Sequence, residues 1–100
     1  MNMQQMMAQA QKMQRELNKA HAELAEKEFV ITKGGAVTVT VLGSKEIKSI
    51  NIDADAFDPE NKEMIEDMIA LAINEAMEQI DQESEEINER ITGQRGGFGF

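Results

Sequence analysis

Apolar residues at Met3, Met6, Ala10, Met13, Leu17, Ala20 and Leu24 recur at spacings of 3, 4, 3, 4, 3 and 4. That rhythm is the heptad seam of an α-helix that buries one side against another helix. Strong helix formers fill the run from about residue 2 to residue 26 without Gly or Pro, so one unbroken first helix is predicted. At about 1.5 Å per residue it is roughly 37 Å long, more than a small sheet can cover. Part of it must therefore project or pack on another chain. Met3, Met6 and Met13 bring unbranched, adaptable side chains to the seam, which reads as core or as a dimer contact. The opposite face is rich in Gln and carries Lys12, Arg15 and Lys19.

Beyond residue 26 the helical period gives way to alternation. Residues 29–32 read as a short strand, and Lys33-Gly34-Gly35 as a hairpin turn, because two glycines reach positive φ without a steric penalty. Residues 36–42 alternate, with Val37, Val39 and Val41 on one face and Thr38, Thr40 and Leu42 on the other. Gly43-Ser44 makes a second turn into a third strand over 46–53, with Lys48, Ile50 and Ile52 expected on one face. Neither glycine pair opens a helix, so neither reads as a phosphate loop. Asp58-Pro59-Glu60 starts a last helix, with Asp58 as N-cap and Pro59 at the first helical position. Its apolar stripe persists to about Ile91 and Gly93 stops it, giving some 33 residues and roughly 50 Å. Residues 64–77 are expected on the sheet, and the acidic stretch 78–90 in solvent or against a partner.

The inventory for catalysis is thin. There is no cysteine, which excludes disulfides, thiol chemistry and Cys-ligated zinc. His21, the single histidine, reads as a surface or seam residue. Ser44 and Ser84 have no histidine nearby in sequence to activate them. Asp53, Asp55 and Asp58 open like a calcium loop, but the sixth position from Asp53 is Asp58, where Gly is required, and the twelfth is Met64, where Glu is required. No catalytic site, metal site, cofactor or small-molecule substrate is expected. The amino terminus has no signal-peptide pattern and no run approaches the roughly 18 apolar residues of a membrane span. The expectation is a soluble intracellular protein.

Charge separates the two halves. Residues 1–50 hold seven Lys/Arg against five Asp/Glu, and residues 51–100 hold three against fourteen, for a net −9 overall. Only the first half can face a polyanion. On a helical wheel Lys12, Arg15 and Lys19 lie within roughly 60° of one another, and Gln5 falls one heptad before Lys12. Lys and Arg neutralise phosphates and amides read base edges, so this face suits duplex DNA. On the residues alone a solvated helix exterior is the readier reading, because three positive charges per chain are few and the acidic chain as a whole is repelled by DNA at long range. Stacking on single strands is poorly served, since Trp and Tyr are absent.

The chain resembles the YbaB/EbfC family of bacterial nucleoid-associated proteins along nearly its whole length. The resemblance is carried by Met3-Gln4-Gln5-Met6-Met7, Ala10-Gln11-Lys12-Met13-Gln14, Gly34-Gly35-Ala36-Val37, Gly43 followed by Glu46-Ile47, and Ile52-Asp53. It continues through Asp58-Pro59-Glu60, the opening Glu63 to Ile69 of the last helix, Asn74-Glu75-Ala76 and Thr92-Gly93. It implies an α+β fold, an α-β-β-β-α protomer with a three-stranded antiparallel sheet and long projecting helices, assembled as a homodimer. One such domain is expected over residues 1–92, with a flexible Gly-rich tail over 93–100. The resemblance further implies a cytoplasmic, nucleoid-associated protein that binds double-stranded DNA and has no enzymatic activity. By position, DNA contacts fall on Gln5, Lys12, Arg15, Lys19 and Arg90. The chain departs from the family pattern in its short tail without proline and its strongly acidic last helix. A non-enzymatic adaptor, engaging another protein through the Met-rich first helix or the acidic last one, is the alternative.

Overall fold

The computed structural model describes residues 2–93. Its order is α1 (Met3–Glu26), β1 (Glu28–Lys33), β2 (Val37–Leu42), β3 (Ile47–Ile52) and α2 (Lys62–Thr92), the expected α-β-β-β-α arrangement. The strands form one antiparallel sheet in the order β1-β2-β3. The tail expected over 93–100 lies, apart from Gly93, outside the described residues.

The centre of the core is the alternating face of β2. Val37, Val39 and Val41 are buried, flanked by Phe29 and Ile31 of β1 and covered by α2, where Ile65, Ala72 and Ala76 face inward. Ala72 and Ala76 have no accessible surface, and side chains this small let the helix axis sit close to the valines. Full burial of each large apolar side chain contributes about 1.5–3 kcal/mol, so this three-element contact is the main source of stability. Gly34 and Gly35 both take positive φ, at 58° and 64°, as the hairpin turn required. The turn is closed by the Ala36 N–H donating to the Lys33 carbonyl at 3.0 Å.

β3 departs from expectation. A register irregularity opposite Thr40 and Val41 inserts a bulge, which turns Lys48 away from the face shared by Ile50 and Ile52. Ile50 and Ile52 pair opposite Val39 and Val37 on the inner face, whereas Lys48 reaches Glu28 of β1 at 2.6 Å. α2 lies across β1 and β2, and Ile47 and Ile50 remain 43% and 45% exposed.

The last helix begins later than Pro59. Residues Pro59–Asn61 form a 3₁₀ turn, in which Asp58 accepts from the Glu60 N–H at 2.8 Å. A tightened first turn of this kind is common at helix starts, and α2 proper opens at Lys62. Gly93 ends it at φ 72°, donating to the Glu89 carbonyl at 2.7 Å, as a left-handed C-terminal cap does.

Residues 78–90 do not extend away from the body. Ile80 and Ile87 are buried and Ile91 is packed against the same cluster, meeting Leu17, Ala20 and Leu24 of α1. His21 Nε2 and Asn88 Oδ1 are 2.8 Å apart across this contact, and Lys27 reaches Glu83 at 2.6 Å. The acidic composition of the segment belongs to its outer face. Because α1 and α2 run antiparallel and Ile91 lies beside Glu16 and Ala20, α2 ends level with Leu17. Residues 3–16 of α1 stand beyond it as a spur of roughly 20 Å, and every residue from 2 to 16 is exposed. The long axis of the protein is 68 Å against 25 and 15 Å for the others.

The β2–β3 turn closes the carboxyl end of α1. The Gly43 N–H donates to the Lys27 carbonyl at 2.8 Å and the Ser44 N–H to the Ala25 carbonyl at 3.2 Å. A Cβ on Gly43 would lie 1.7 Å from the Leu24 carbonyl oxygen, whereas one on Gly35 would meet nothing within 4 Å. Gly43→Ala must therefore displace backbone and should cost about 3 kcal/mol. Gly35→Ala, penalised only by its positive φ, should cost about 1–2 kcal/mol. Urea unfolding midpoints of the two variants check this order.

Candidate nucleic-acid interface

The spur is held helical at its free end by a capping box. The Asn2 side chain accepts from the Gln5 N–H at 2.8 Å, and Gln5 Oε1 accepts from the Asn2 N–H at 3.4 Å. Both bonds satisfy backbone donors that a helix start leaves unpaired. No carboxylate occurs from residue 2 to residue 15, where Lys12 and Arg15 are the only charged side chains. The positive end of the helix dipole adds to them.

From Lys27 to Lys62 the lysines are neutralised. Lys27, Lys33, Lys45 and Lys48 contact Glu83, Glu75, Asp81 and Glu28 at 2.6, 2.7, 2.7 and 2.6 Å, and Lys62 lies 3.4 Å from Glu66. Exposed pairs of this kind contribute at most about 1 kcal/mol each to stability, but they cancel local positive potential. Among the described residues, the cations without an ion pair are Lys12, Arg15, Lys19 and Arg90. These are the four cations singled out from the sequence.

Gln5, Lys12, Arg15 and Lys19 are all exposed on α1. Arg90 comes to the same end of the stripe from α2, sharing a shallow recess with Lys19, Glu16 and Glu23. Gln5 has a structural duty the sequence reading missed, although Asn2 three residues before it was the signal. Its carbonyl oxygen serves the cap, and the side chain is otherwise exposed. Gln9 was also missed. It lines a groove with Gln5, Ala8 and Lys12, and its place four residues after Gln5 and three before Lys12 would have revealed it. Glu16 and Glu23 fall on the basic side of the wheel as well, so positive potential is concentrated at the spur and fades toward Lys19.

Two other surfaces stand out. An apolar cleft of about 380 Å³ opens between β3 and the start of α2, lined by Ile52, Phe57, Pro59, Ile65 and Ile69, with Lys62 and Glu66 at its edge. Phe57 is 76% exposed beside it. On the spur, Met3, Met6 and Met13 are exposed along the unpaired half of the seam. Among the described residues no helix is long and apolar enough to cross a membrane, and no group of three or more His, Cys, Asp or Glu is arranged to hold a metal ion.

A family model described as the YbaB/EbfC DNA-binding family matches residues 1–95. A nucleoid-associated protein of Clostridium novyi is 48% identical over 94 residues, covering 93% of this chain and 82% of that protein. One from Agathobacter rectalis is 45% identical over 97 residues, covering 96% and 86%. Another, from Metamycoplasma arthritidis, is 40% identical over 92 residues, covering 92% and 96%. The crystal structure of an uncharacterized protein from Helicobacter pylori, 19% identical, superposes with a TM-score of 0.77 over 93% of this chain and 99% of that one. The fold is thus shared at low identity.

The capping box makes a local prediction. Asn2→Ala removes a cap worth about 1 kcal/mol, which should speed amide exchange in the first turn of α1 about fivefold. The urea midpoint of the whole protein should not move, because the spur buries nothing. Site-resolved hydrogen exchange checks both statements.

Proposed function

The chain belongs to the YbaB/EbfC DNA-binding family, and from that premise we propose that it binds double-stranded DNA as a homodimer through the basic face of α1. The observation that carries this reading is the charge inventory. The cations left without an ion pair among the described residues are Lys12, Arg15, Lys19 and Arg90. Lys12 and Arg15 sit on a spur with no carboxylate before Glu16, in a chain whose net charge is −9. A helix with side chains is about 10–12 Å across, the width of the major groove, and the spur is about as long as the duplex is wide. Lys12, Arg15, Lys19 and Arg90 neutralise phosphates and fix the approach, while Gln5 and Gln9 are placed to donate to phosphates or base edges. The family is one of DNA-binding proteins rather than enzymes, and its named relatives are nucleoid-associated. A cytoplasmic place on the nucleoid, with roles in DNA organisation and gene regulation, follows from the same reading.

Dimerisation is supported by apolar surface that one protomer leaves uncovered. Ile47 and Ile50 on the inner side of β3 are exposed, as are Phe57 beside the apolar cleft and Met64 and Leu71 on α2. Pairing two protomers also doubles the basic stripe. Four unpaired cations among the described residues of one chain suffice only for weak binding, whereas eight give an affinity that is useful and steeply dependent on salt.

Replacing Lys12, Arg15 and Lys19 together by Ala should weaken duplex retention and flatten the slope of log K against log salt by up to about 5, at roughly 0.9 per lost phosphate contact. Unchanged binding by an intact dimer would remove these residues from the interface. Loss of all duplex retention in the unmodified protein at low salt would instead favour the adaptor reading. Light scattering at micromolar concentration should return twice the 11.2 kDa chain mass. Ile50→Glu, which puts a charge on the uncovered sheet face, should return the single mass. A wild-type protein that scatters as one chain contradicts the dimer.

A further inference from the structure

The spur carries five glutamines, Gln4, Gln5, Gln9, Gln11 and Gln14, and the structure sorts them by what their amides already do. Gln5 Oε1 accepts from the Asn2 N–H, and Gln14 Nε2 donates to Asn18 Oδ1 at 3.0 Å. Each has one end of its amide committed. Among the described residues, Gln4, Gln9 and Gln11 make no such bond and keep both a donor and an acceptor. Of these three, Gln9 lines the groove it shares with Gln5, Ala8 and Lys12. Ala8 is the one short side chain of the four, so the groove opens over a methyl group.

We propose that this groove reads one A·T base pair from the major groove, with the Gln9 amide on the adenine and the Ala8 methyl against the thymine methyl. Resting on the duplex-binding reading, this adds a sequence preference to it. In the major groove adenine presents N7 as an acceptor beside its N6 amino donor, and an uncommitted carboxamide matches both at once. Guanine presents two acceptors, O6 and N7, so the carbonyl end of the same amide meets no donor there. Thymine offers its C5-methyl on the other half of the pair, and an Ala side chain is short enough for the helix to close on it. Consecutive residues stand about 100° apart round a helix, so Gln9 and Ala8 straddle the pair instead of competing for one base edge.

The neighbouring groups limit the readout to this pair. Lys12, three residues after Gln9, is placed to hold an adjacent phosphate. Gln5 lies four residues before, but its carbonyl oxygen is taken by the cap, which leaves a donor suited to a phosphate oxygen and not to the donor–acceptor edge of adenine. Glu16 falls one heptad after Gln9, about 10 Å further along the helix, and its carboxylate repels the backbone there. Gln4 and Gln11 lie roughly 140–160° round the helix from Gln9 and cannot share its base pair.

The test titrates the full chain and its variants Gln9→Ala and Ala8→Ser, at one salt concentration, against four duplexes of equal length. These are an A·T duplex, a G·C duplex, the A·T duplex with uracil in place of thymine, and the A·T duplex with 7-deazaadenine in place of adenine. Uracil lacks the methyl group and 7-deazaadenine lacks the N7 acceptor. The wild type should bind the A·T duplex about tenfold more tightly than the G·C duplex, and each altered duplex about three- to fivefold less tightly than A·T. Gln9→Ala should lose the response to 7-deazaadenine and keep the response to uracil, and Ala8→Ser should do the reverse. Neither variant should change the salt slope, since neither removes a phosphate contact, and circular dichroism should show the same helix content in both. Equal affinity for all four duplexes overturns the proposal while leaving duplex binding itself intact. An A·T preference that survives both base changes also overturns it and assigns the preference to DNA shape. Retention of no duplex at all removes the duplex-binding reading and this proposal together.

Discussion

The contact that sets the shape of this protein is the lower half of one heptad seam, Leu17, Ala20 and Leu24 of α1 against Ile80, Ile87 and Ile91 of α2. It locks two helices of unequal placement side by side, so that α2 ends where α1 still has four turns to run. Everything distinctive follows from that offset. The sheet end of α2 is committed to Val37, Val39 and Val41, and α2 is too short to reach the first half of α1. A spur is therefore a geometric remainder of the packing. Its helicity cannot come from burial, and an isolated segment of this length is marginal in water. The Asn2–Gln5 capping box supplies part of what packing does not.

Electrostatics divides the molecule along the same line. On the body, lysines stand within reach of carboxylates from neighbouring elements: Lys27 and Glu83, Lys33 and Glu75, Lys45 and Asp81 each join α2 to the sheet side. These pairs contribute little stability, but they leave the body with a net negative remainder. A duplex is repelled by that remainder at distances up to about a Debye length, roughly 8–10 Å at ordinary ionic strength. The spur stands about 20 Å beyond the end of α2, so most of it escapes the repulsion. An acidic protein can thus present a basic tool, provided the tool is held at arm's length.

Much of this was legible in the residues. The 3–4 spacing of α1, the strict alternation of β2, the paired glycines at 34 and 35 and the stop at Gly93 each express a local physical preference, and each element formed where that preference placed it. What escaped was non-local. The bulge that turns Lys48 toward Glu28 depends on how β3 fits β2. The packing of residues 78–90 was hidden by their acids, although Ile80, Ile87 and Ile91 repeat at heptad spacing. Gly43 reads as turn chemistry until the Leu24 carbonyl is seen 1.7 Å from the Cβ it lacks. In the candidate site, the basic residues of α1 were visible as a stripe, but their isolation was not. It emerges only when the partners of the other lysines are known.

The uncovered inner face of β3 and the spur are linked by the same economy of length. α2 crosses β1 and β2 and then leaves the sheet to reach α1, and a straight helix cannot also shield Ile47 and Ile50. A second protomer applied at that edge would bury Ile50, Ile52 and Phe57 in a shared core, with the two α1 spurs fixed relative to each other by a two-fold axis. The spacing of two such spurs would then be set by rigid packing and not by a linker. In the proposed dimer, two spurs held at a fixed separation would engage one duplex with the second contact intramolecular, which would raise affinity without any additional cation. In a chain carrying only four unpaired positive charges among its described residues, geometry of this kind would compensate for the shortage of charge.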